Sequence, residues 1–345
     1  MDLDHGGNIS AAARRFNIPV ERWIDLSTGI SPWSWPVPTV PQRVWQTLPY
    51  PDDQLESAAA DYYGCHRAAI LAVPGSQYAL QYTPTLLRTG TVAIPRRGYA
   101  EHRAAWLGAG HHVVEYADGA ALYTLVMAGR VDHALVINPN NPTADILSLQ
   151  QLQDLHTQLH ANGGWLVVDE AFADFPNSPS LASRCPAPGL IVYRSVGKFF
   201  GLAGIRLGFL LAPASLCAQL QSTMPPWLLS HLARWIGARA LADRAWQLTQ
   251  QQRLQDAAGE WLKTLHDCVP KLHFVATTLF VSGSGDAAYC EALHEALGRR
   301  AVLLRMFETL EGLGALRFGL PLPADREHVT QLIREAVEEC ECDMR

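Results

Sequence analysis

Between about residue 54 and residue 230 the chain alternates short apolar runs with longer stretches of helical spacing. The runs at 70–73, 91–94, 112–116, 134–137, 165–168, 189–195 and 207–211 predict strands. Residues 55–63, 78–87, a stretch ending at 107, and 147–161 predict the helices between them. Strands that are apolar almost throughout are buried on both faces, so the expectation is an α/β fold whose mostly parallel sheet, of the seven-stranded type, is sandwiched by helices. Polar motifs follow these strands directly: Pro74-Gly75-Ser76-Gln77, then Arg96 to Tyr99, then Asn138-Pro139-Asn140-Asn141-Pro142-Thr143, then Asp169-Glu170-Ala171-Phe172. Ligands of open α/β sheets gather beyond the carboxyl ends of the strands, which is where these motifs fall.

Outside this region the pattern changes. Residues 9–16 predict a short helix capped by Ser10. Residues 25–36, rich in small polar residues, Gly and Pro, read as a loop. A helix over 41–48 is broken at Tyr50-Pro51-Asp52-Asp53. Long helices are expected over 226–266, followed by a small α+β unit with strands at 273–282, 302–305 and 315–319 and helices at 287–299 and 326–340. This gives an N-terminal segment (1–40) packing on the active site or the small domain, a large domain (41–235), and a linker helix with a small C-terminal domain (236–345).

Composition narrows the function classes. Of 345 residues, 48% are hydrophobic and 17% charged, enough apolar material for a large core. A net charge of -6 argues against a nucleic-acid partner held by phosphate contacts. The cysteines (65, 185, 217, 268, 290, 340, 342) are scattered, odd in number and without a neighbouring His cluster. Free thiols in a reducing compartment are therefore expected, and no metal site. The start, MDLDHGGN, has no basic stretch followed by an apolar run, and no run of about 18 apolar residues appears. A cytoplasmic protein with no membrane partner is the expectation.

One lysine concentrates the candidate chemistry. Lys198 lies in Ser195-Val196-Gly197-Lys198-Phe199-Phe200-Gly201, ahead of Gly204-Ile205-Arg206-Leu207-Gly208. A lysine among small and apolar residues is held from bulk water, which lowers its pKa and frees the amine as a nucleophile. Taken alone, such a lysine is more commonly a surface residue. The N-terminal His5-Gly6-Gly7-Asn8 offers backbone able to approach an anion closely.

In this order and spacing, Gly75-Ser76-Gln77, Tyr99, Asn141, Asp169, Ser195, Lys198, Arg206 and Arg317 resemble the fold-type I pyridoxal-phosphate enzymes of the class I/II aminotransferase superfamily. The resemblance implies pyridoxal 5'-phosphate as cofactor. Lys198 would hold it covalently and act as acid and base beside the substrate Cα. Asp169 would pair with the ring nitrogen, Asn141 with the ring hydroxyl, and Tyr99 would stack on the ring. Gly75, Ser76, Gln77, Ser195 and Arg206 would form the phosphate cup. Tyr50 would reach the cofactor phosphate of a neighbouring subunit, implying a homodimer with shared sites, and Arg317 would grip the substrate carboxylate. The chain departs from the pattern twice: Ala144 stands where Gly is common, and Phe172 where Tyr is common. HGGN, DLSTGISP and DEAF resemble the cobalamin-pathway branch, with its threonine-phosphate decarboxylases and CobC-type proteins. This branch implies loss of CO₂ from L-threonine O-3-phosphate, giving (R)-1-amino-2-propanol O-2-phosphate. Such a substrate needs a second anion site, for which His5, Gly6, Gly7, Asn8, Ser27, Thr28 and Arg305 are candidates. The alternatives are an aminotransferase acting on a phosphorylated amino acid such as histidinol phosphate, and a non-catalytic partner protein in cobalamin assembly.

Overall fold

The computed structural model describes residues 6–51 and 53–343. Among the described residues thirteen strands occur in chain order: β1 (Ile24–Asp25), β2 (Ile70–Val73), β3 (Thr91–Pro95), β4 (His112–Tyr116), β5 (His133–Ile137), β6 (Trp165–Asp169), β7 (Leu190–Ser195), β8 (Gly208–Leu211), β9 (His273–Ala276), β10 (Phe280–Asp286), β11 (Val302–Leu303), β12 (Arg305–Leu310) and β13 (Leu313–Gly319). The described residues divide into two compact units, one within 34–141 and 145–249, the other within 6–33, 142–144 and 250–343. No described helix is long and apolar enough to cross a membrane.

The larger unit holds one seven-stranded sheet in the order β2–β8–β7–β6–β5–β3–β4. All neighbours run parallel except β8, which is antiparallel to both β2 and β7. The carboxyl ends of β2, β3, β5, β6 and β7 therefore share one edge, and the start of β8 lies there too. Val73, Ile94, Leu135, Val167, Ile191 and Leu210 are buried with Leu80 and Trp106 from the covering helices, as the continuous apolar runs require. The mostly parallel sheet expected from the sequence is present, with β8 as its antiparallel member. The helices Gly119–Met127 and Ala214–Thr223 were not anticipated.

The smaller unit carries a four-stranded antiparallel sheet, β12–β13–β10–β9, and the parallel pair β1–β11. The stretch at 25–36 is thus not wholly loop: Ile24 pairs with Val302 and Asp25 with Leu303. A two-residue strand is too short to show periodicity. Its pairing, and the packing of Ala12, Trp23 and Ala301 with Ile9, Phe16 and Leu303, place residues 6–33 with the C-terminal residues. The divisions fall after residues 33 and 249, against the boundaries of 40 and 235 read from the sequence. The first helix, Ile9–Phe16, is capped by Asn8 and not by Ser10: Asn8 Oδ1 accepts from the Ala11 N–H at 3.0 Å. The run at 273–282 is split at Thr277, whose Oγ1 accepts from the N–H groups of Leu279 and Phe280. The strand expected at 302–305 is two strands, β11 and β12.

Candidate active site

The sheet register assembles an anion cradle. Gly208 lies opposite both Val73 and Ser195, so the ends of β2 and β7 and the start of β8 are adjacent. After Val73 the chain turns through Gly75, at φ +72°, into the helix Ser76–Tyr82. Glycine suits that turn because φ +72° strains any L side chain, and a Cβ there would also press on Arg206 Nη2 at 2.7 Å. Gly208 is equally constrained, since a Cβ would come within 2.3 Å of the Ser76 amide nitrogen. Arg206 has φ +51° and donates from Nη1 to the Ala203 carbonyl at 3.2 Å. A guanidinium is thus set against the amide-bearing start of a helix, beside Ser195. Positive groups brought together in this way suit a phosphate, which accepts from all of them.

Asp169 ends β6 and is 6% exposed. Its Oδ1 accepts from the Ala171 N–H at 3.0 Å, and its Oδ2 lies 2.8 Å from His102 Nε2. A buried carboxylate needs such partners. His102, 2% exposed, projects from the helix Ala100–Gly108, one turn after Tyr99, and its ring stacks near Tyr193. The sequence reading missed His102, and the only signal was its spacing of three from Tyr99 on a predicted helix. Tyr99 Oη donates to Gln77 Oε1 at 3.0 Å, tying β3's trailing loop to the cradle helix. Asn141 is buried in the loop after β5. That loop is braced by Asn138 Oδ1, which accepts from the Leu147 N–H at 2.8 Å, and by Asn140 Nδ2, which donates to the Arg97 carbonyl at 2.7 Å. Ala144 has φ +63°, the left-handed region that favours glycine, which accounts for the residue common in the superfamily. Lys198 is half-buried, its Nζ 5.3 Å from the centroid of the Phe172 ring. Phe172 thus forms a wall beside the amine and contributes no hydroxyl.

Alternation along β7 sends Tyr193 and Ser195 to one face and Arg194 to the other. Buried Arg194 reaches Glu170 at 2.8 Å and Asp174 at 2.5 Å, and Tyr62 Oη donates to Asp174 at 2.9 Å. Burial works against the charge of Arg194, but Asp174 and Glu170 hold its pKa above the ordinary value. This network fixes the chain just after Asp169 and just before Ser195.

The smaller unit holds a separate cationic cluster. Arg305 and Arg317 are direct cross-strand partners on β12 and β13. Like charges so placed repel, and an anion relieves them. Burial, and then Arg305, push the Arg317 guanidinium down to about 10, with Asp25 acting in the opposite sense. Arg317 Nη2 donates to the Ser27 carbonyl. Ser27 donates from its N–H and Oγ to Asp25 Oδ1, at 2.8 and 2.6 Å. Gly7 donates its N–H to Ser27 Oγ at 2.7 Å, and Gly6 and Thr28 border the same turn. Asp25, which organises this turn, was not singled out from the sequence; an acid two residues before a serine was its signal. Asn8 is engaged as a helix cap, and His5 lies outside the described residues. Tyr50 is 64% exposed.

The donor set in the larger unit fits pyridoxal 5'-phosphate: a cradle that a Cβ at Gly75 would fill, a buried carboxylate, a buried amide and one lysine amine. The aminotransferase class I and II profile matches residues 41–329. The chain is 42% identical over 329 residues to a threonine-phosphate decarboxylase from Pseudomonas aeruginosa, covering 92% of this chain and 93% of that one. Among solved structures, it resembles a histidinol-phosphate aminotransferase from Sinorhizobium meliloti in complex with pyridoxal-5'-phosphate (TM-score 0.85, 20% identity, 98% and 96% covered). It also resembles an L-threonine-O-3-phosphate decarboxylase from Porphyromonas gingivalis (TM-score 0.68, 19% identity, 89% and 100% covered). The two structural likenesses speak for the fold alone. On the match over residues 41–329, the chain belongs to the aminotransferase class I and II family.

Proposed function

We propose that this protein is a pyridoxal-phosphate-dependent lyase that decarboxylates L-threonine O-3-phosphate to (R)-1-amino-2-propanol O-2-phosphate in cobalamin biosynthesis. The chain-long likeness to the Pseudomonas aeruginosa decarboxylase carries this reading. The cofactor, when bound, supplies an electron sink for the pair left at the substrate Cα. Gly75, Ser76, Gln77, Ser195 and Arg206 hold its phosphate. Asp169, oriented by His102, holds a proton on the ring nitrogen. Asn141 donates to the ring hydroxyl without help from Phe172, and Tyr99 covers the ring face. Lys198 carries the cofactor at rest; its Nζ delivers the proton that replaces the departing carboxylate at Cα.

For the substrate, Arg317 takes the α-carboxylate and Arg305 takes the phosphate, beside the turn that Gly6, Gly7, Ser27 and Thr28 build. Two opposed arginines suit a ligand bearing two anionic groups. The working form is a homodimer in which Tyr50 reaches the neighbouring subunit's cofactor phosphate, supported by the exposure of Tyr50, Trp45 and Trp227. The described cysteines form no disulfide, which supports a cytoplasmic location.

The test is incubation with L-threonine O-3-phosphate, measuring CO₂ and aminopropanol phosphate. Stoichiometric release of both is expected, with Lys198→Ala inactive and lacking the absorbance of lysine-bound cofactor. A 2-oxo acid formed only with a keto acceptor would replace the decarboxylase by an aminotransferase. Absence of any turnover, with cofactor unbound, would favour the non-catalytic partner.

A further inference from the structure

Tyr50 lies in the connection between the helices Gln42–Gln46 and Leu55–Tyr63. Both ends of this connection are fastened to a third helix, His231–Ala242. At the near end His231 Nδ1 lies 3.0 Å from Thr47 Oγ1 and 3.1 Å from the Thr47 carbonyl. The Thr47 hydroxyl gives its proton to the Arg43 carbonyl at 2.8 Å, so the imidazole N–H is the donor to both oxygens. At the far end buried Arg234 forks onto Asp53, with Nε to Oδ2 at 2.7 Å and Nη2 to Oδ1 at 2.8 Å, and its Nη2 also reaches Glu56 at 2.8 Å. His231 and Arg234 are three residues apart and so share a helix face. Gln54, beside Asp53, sits at φ +67°, a conformation a glutamine adopts only when its surroundings impose it. A guanidinium taken out of water costs stability unless its pairing is complete, and two carboxylates complete it here. Between these two anchors Tyr50 remains 64% exposed.

We infer that His231 and Arg234 are positioning residues that hold Tyr50 outward for the cofactor phosphate of a neighbouring subunit, an assignment that rests on the shared-site homodimer proposed above. A tyrosine on an unconstrained loop would lose rotational and backbone freedom on docking, and the two-point clamp removes that loss in advance.

The test is a double-mutant cycle on the cofactor dissociation constant. Apo-protein is titrated with pyridoxal 5'-phosphate by fluorescence, and sedimentation velocity reports the oligomeric state. Tyr50→Phe is expected to weaken binding about tenfold, the loss that goes with one hydrogen bond to a charged group. Arg234→Gln and His231→Leu are each expected to weaken it by a similar or smaller factor while remaining dimeric. Combined with Tyr50→Phe, either is expected to add nothing, because each acts through Tyr50. Wild-type affinity in both clamp variants, or losses that multiply in the double variants, would overturn the inference. Wild-type affinity in Tyr50→Phe itself, or a monomeric wild-type protein, would instead remove the shared site on which it rests. If Arg234→Gln does not fold, Asp53→Asn and the half-buried His231→Leu carry the same cycle.

Discussion

Asp169 keeps a full set of partners although it is almost closed to solvent: one oxygen takes the Ala171 N–H and the other takes His102. Remove the imidazole and that second oxygen loses its partner at 2.8 Å. Leaving a buried acceptor unsatisfied costs about 1–3 kcal/mol. His102→Phe is therefore expected to lower the melting temperature and to cut kcat at least tenfold, with KM for threonine phosphate little changed, since the proposed substrate anion ligands, Arg305 and Arg317, are other residues. Steady-state kinetics beside a thermal melt checks this; an unaltered kcat would mean that Asp169 keeps its place unaided. Asp169 itself was legible because a charged residue ending an apolar strand is conspicuous. His102 was not, because an inward-facing His on an ordinary helix looks like any satisfied core histidine until its partner is seen. Asn8 shows the reverse: marked as an anion-loop residue, it spends its carbonyl on capping a helix.

Strands and helices were readable in proportion to their length and the purity of their pattern. The apolar runs that became β2, β5 and β7 could not be anything else, whereas β1 has two residues and owes its existence to β11. The helix Gly119–Met127 was unreadable because GAALYTLVM is apolar nearly throughout and has no polar stripe. Two elements also build in a pH response. His133, first residue of β5, is buried and faces the Arg88 carbonyl at 2.9 Å. His156, on the helix Leu149–Ala161, faces the Pro188 carbonyl at 2.9 Å. Burial lowers both pKa values, with the carbonyl contacts pulling back upward. The unfolded chain then binds protons at a pH where the folded chain does not, so stability rises with pH across the window. It is complete above the unfolded value of about 6.5 and lost as pH falls through it, by up to ~1.36 kcal/mol per pH unit for each histidine. Urea denaturation between pH 8 and pH 5 should show this decline. His133→Asn, which cannot titrate, should flatten it, and an equally steep profile in that variant would exclude His133 as a source.

At the scale of the whole molecule, the larger unit carries several large apolar side chains on its surface. Trp45 is 60% exposed, Leu48 52% and Trp227 56%. The helix Gln42–Gln46, which carries Trp45, packs against the helix His231–Ala242, and Trp227 lies just before the latter's cap, Ser230. Trp227 has φ +57°, a backbone state that a bulky side chain adopts only under constraint. A second copy covering this face would bury about 1,200–2,000 Å² in a stable interface. At roughly 25 cal/mol per Å² of apolar surface, that offsets the freedom lost on association. A charge placed among these side chains leaves each subunit folded, because the residues contribute little to their own unit's core, but the interface cannot then close without desolvating a carboxylate. Trp45→Asp combined with Leu48→Asp is accordingly expected to sediment as a monomer, against the dimer proposed for the wild-type protein. If the proposed shared site holds, it should bind pyridoxal 5'-phosphate as weakly as Tyr50→Phe does, since each then loses the same donor, one by absence of the hydroxyl and the other by absence of the neighbour. A dimeric double variant would move the interface elsewhere. A monomeric variant with wild-type cofactor affinity would show that each subunit holds its cofactor alone.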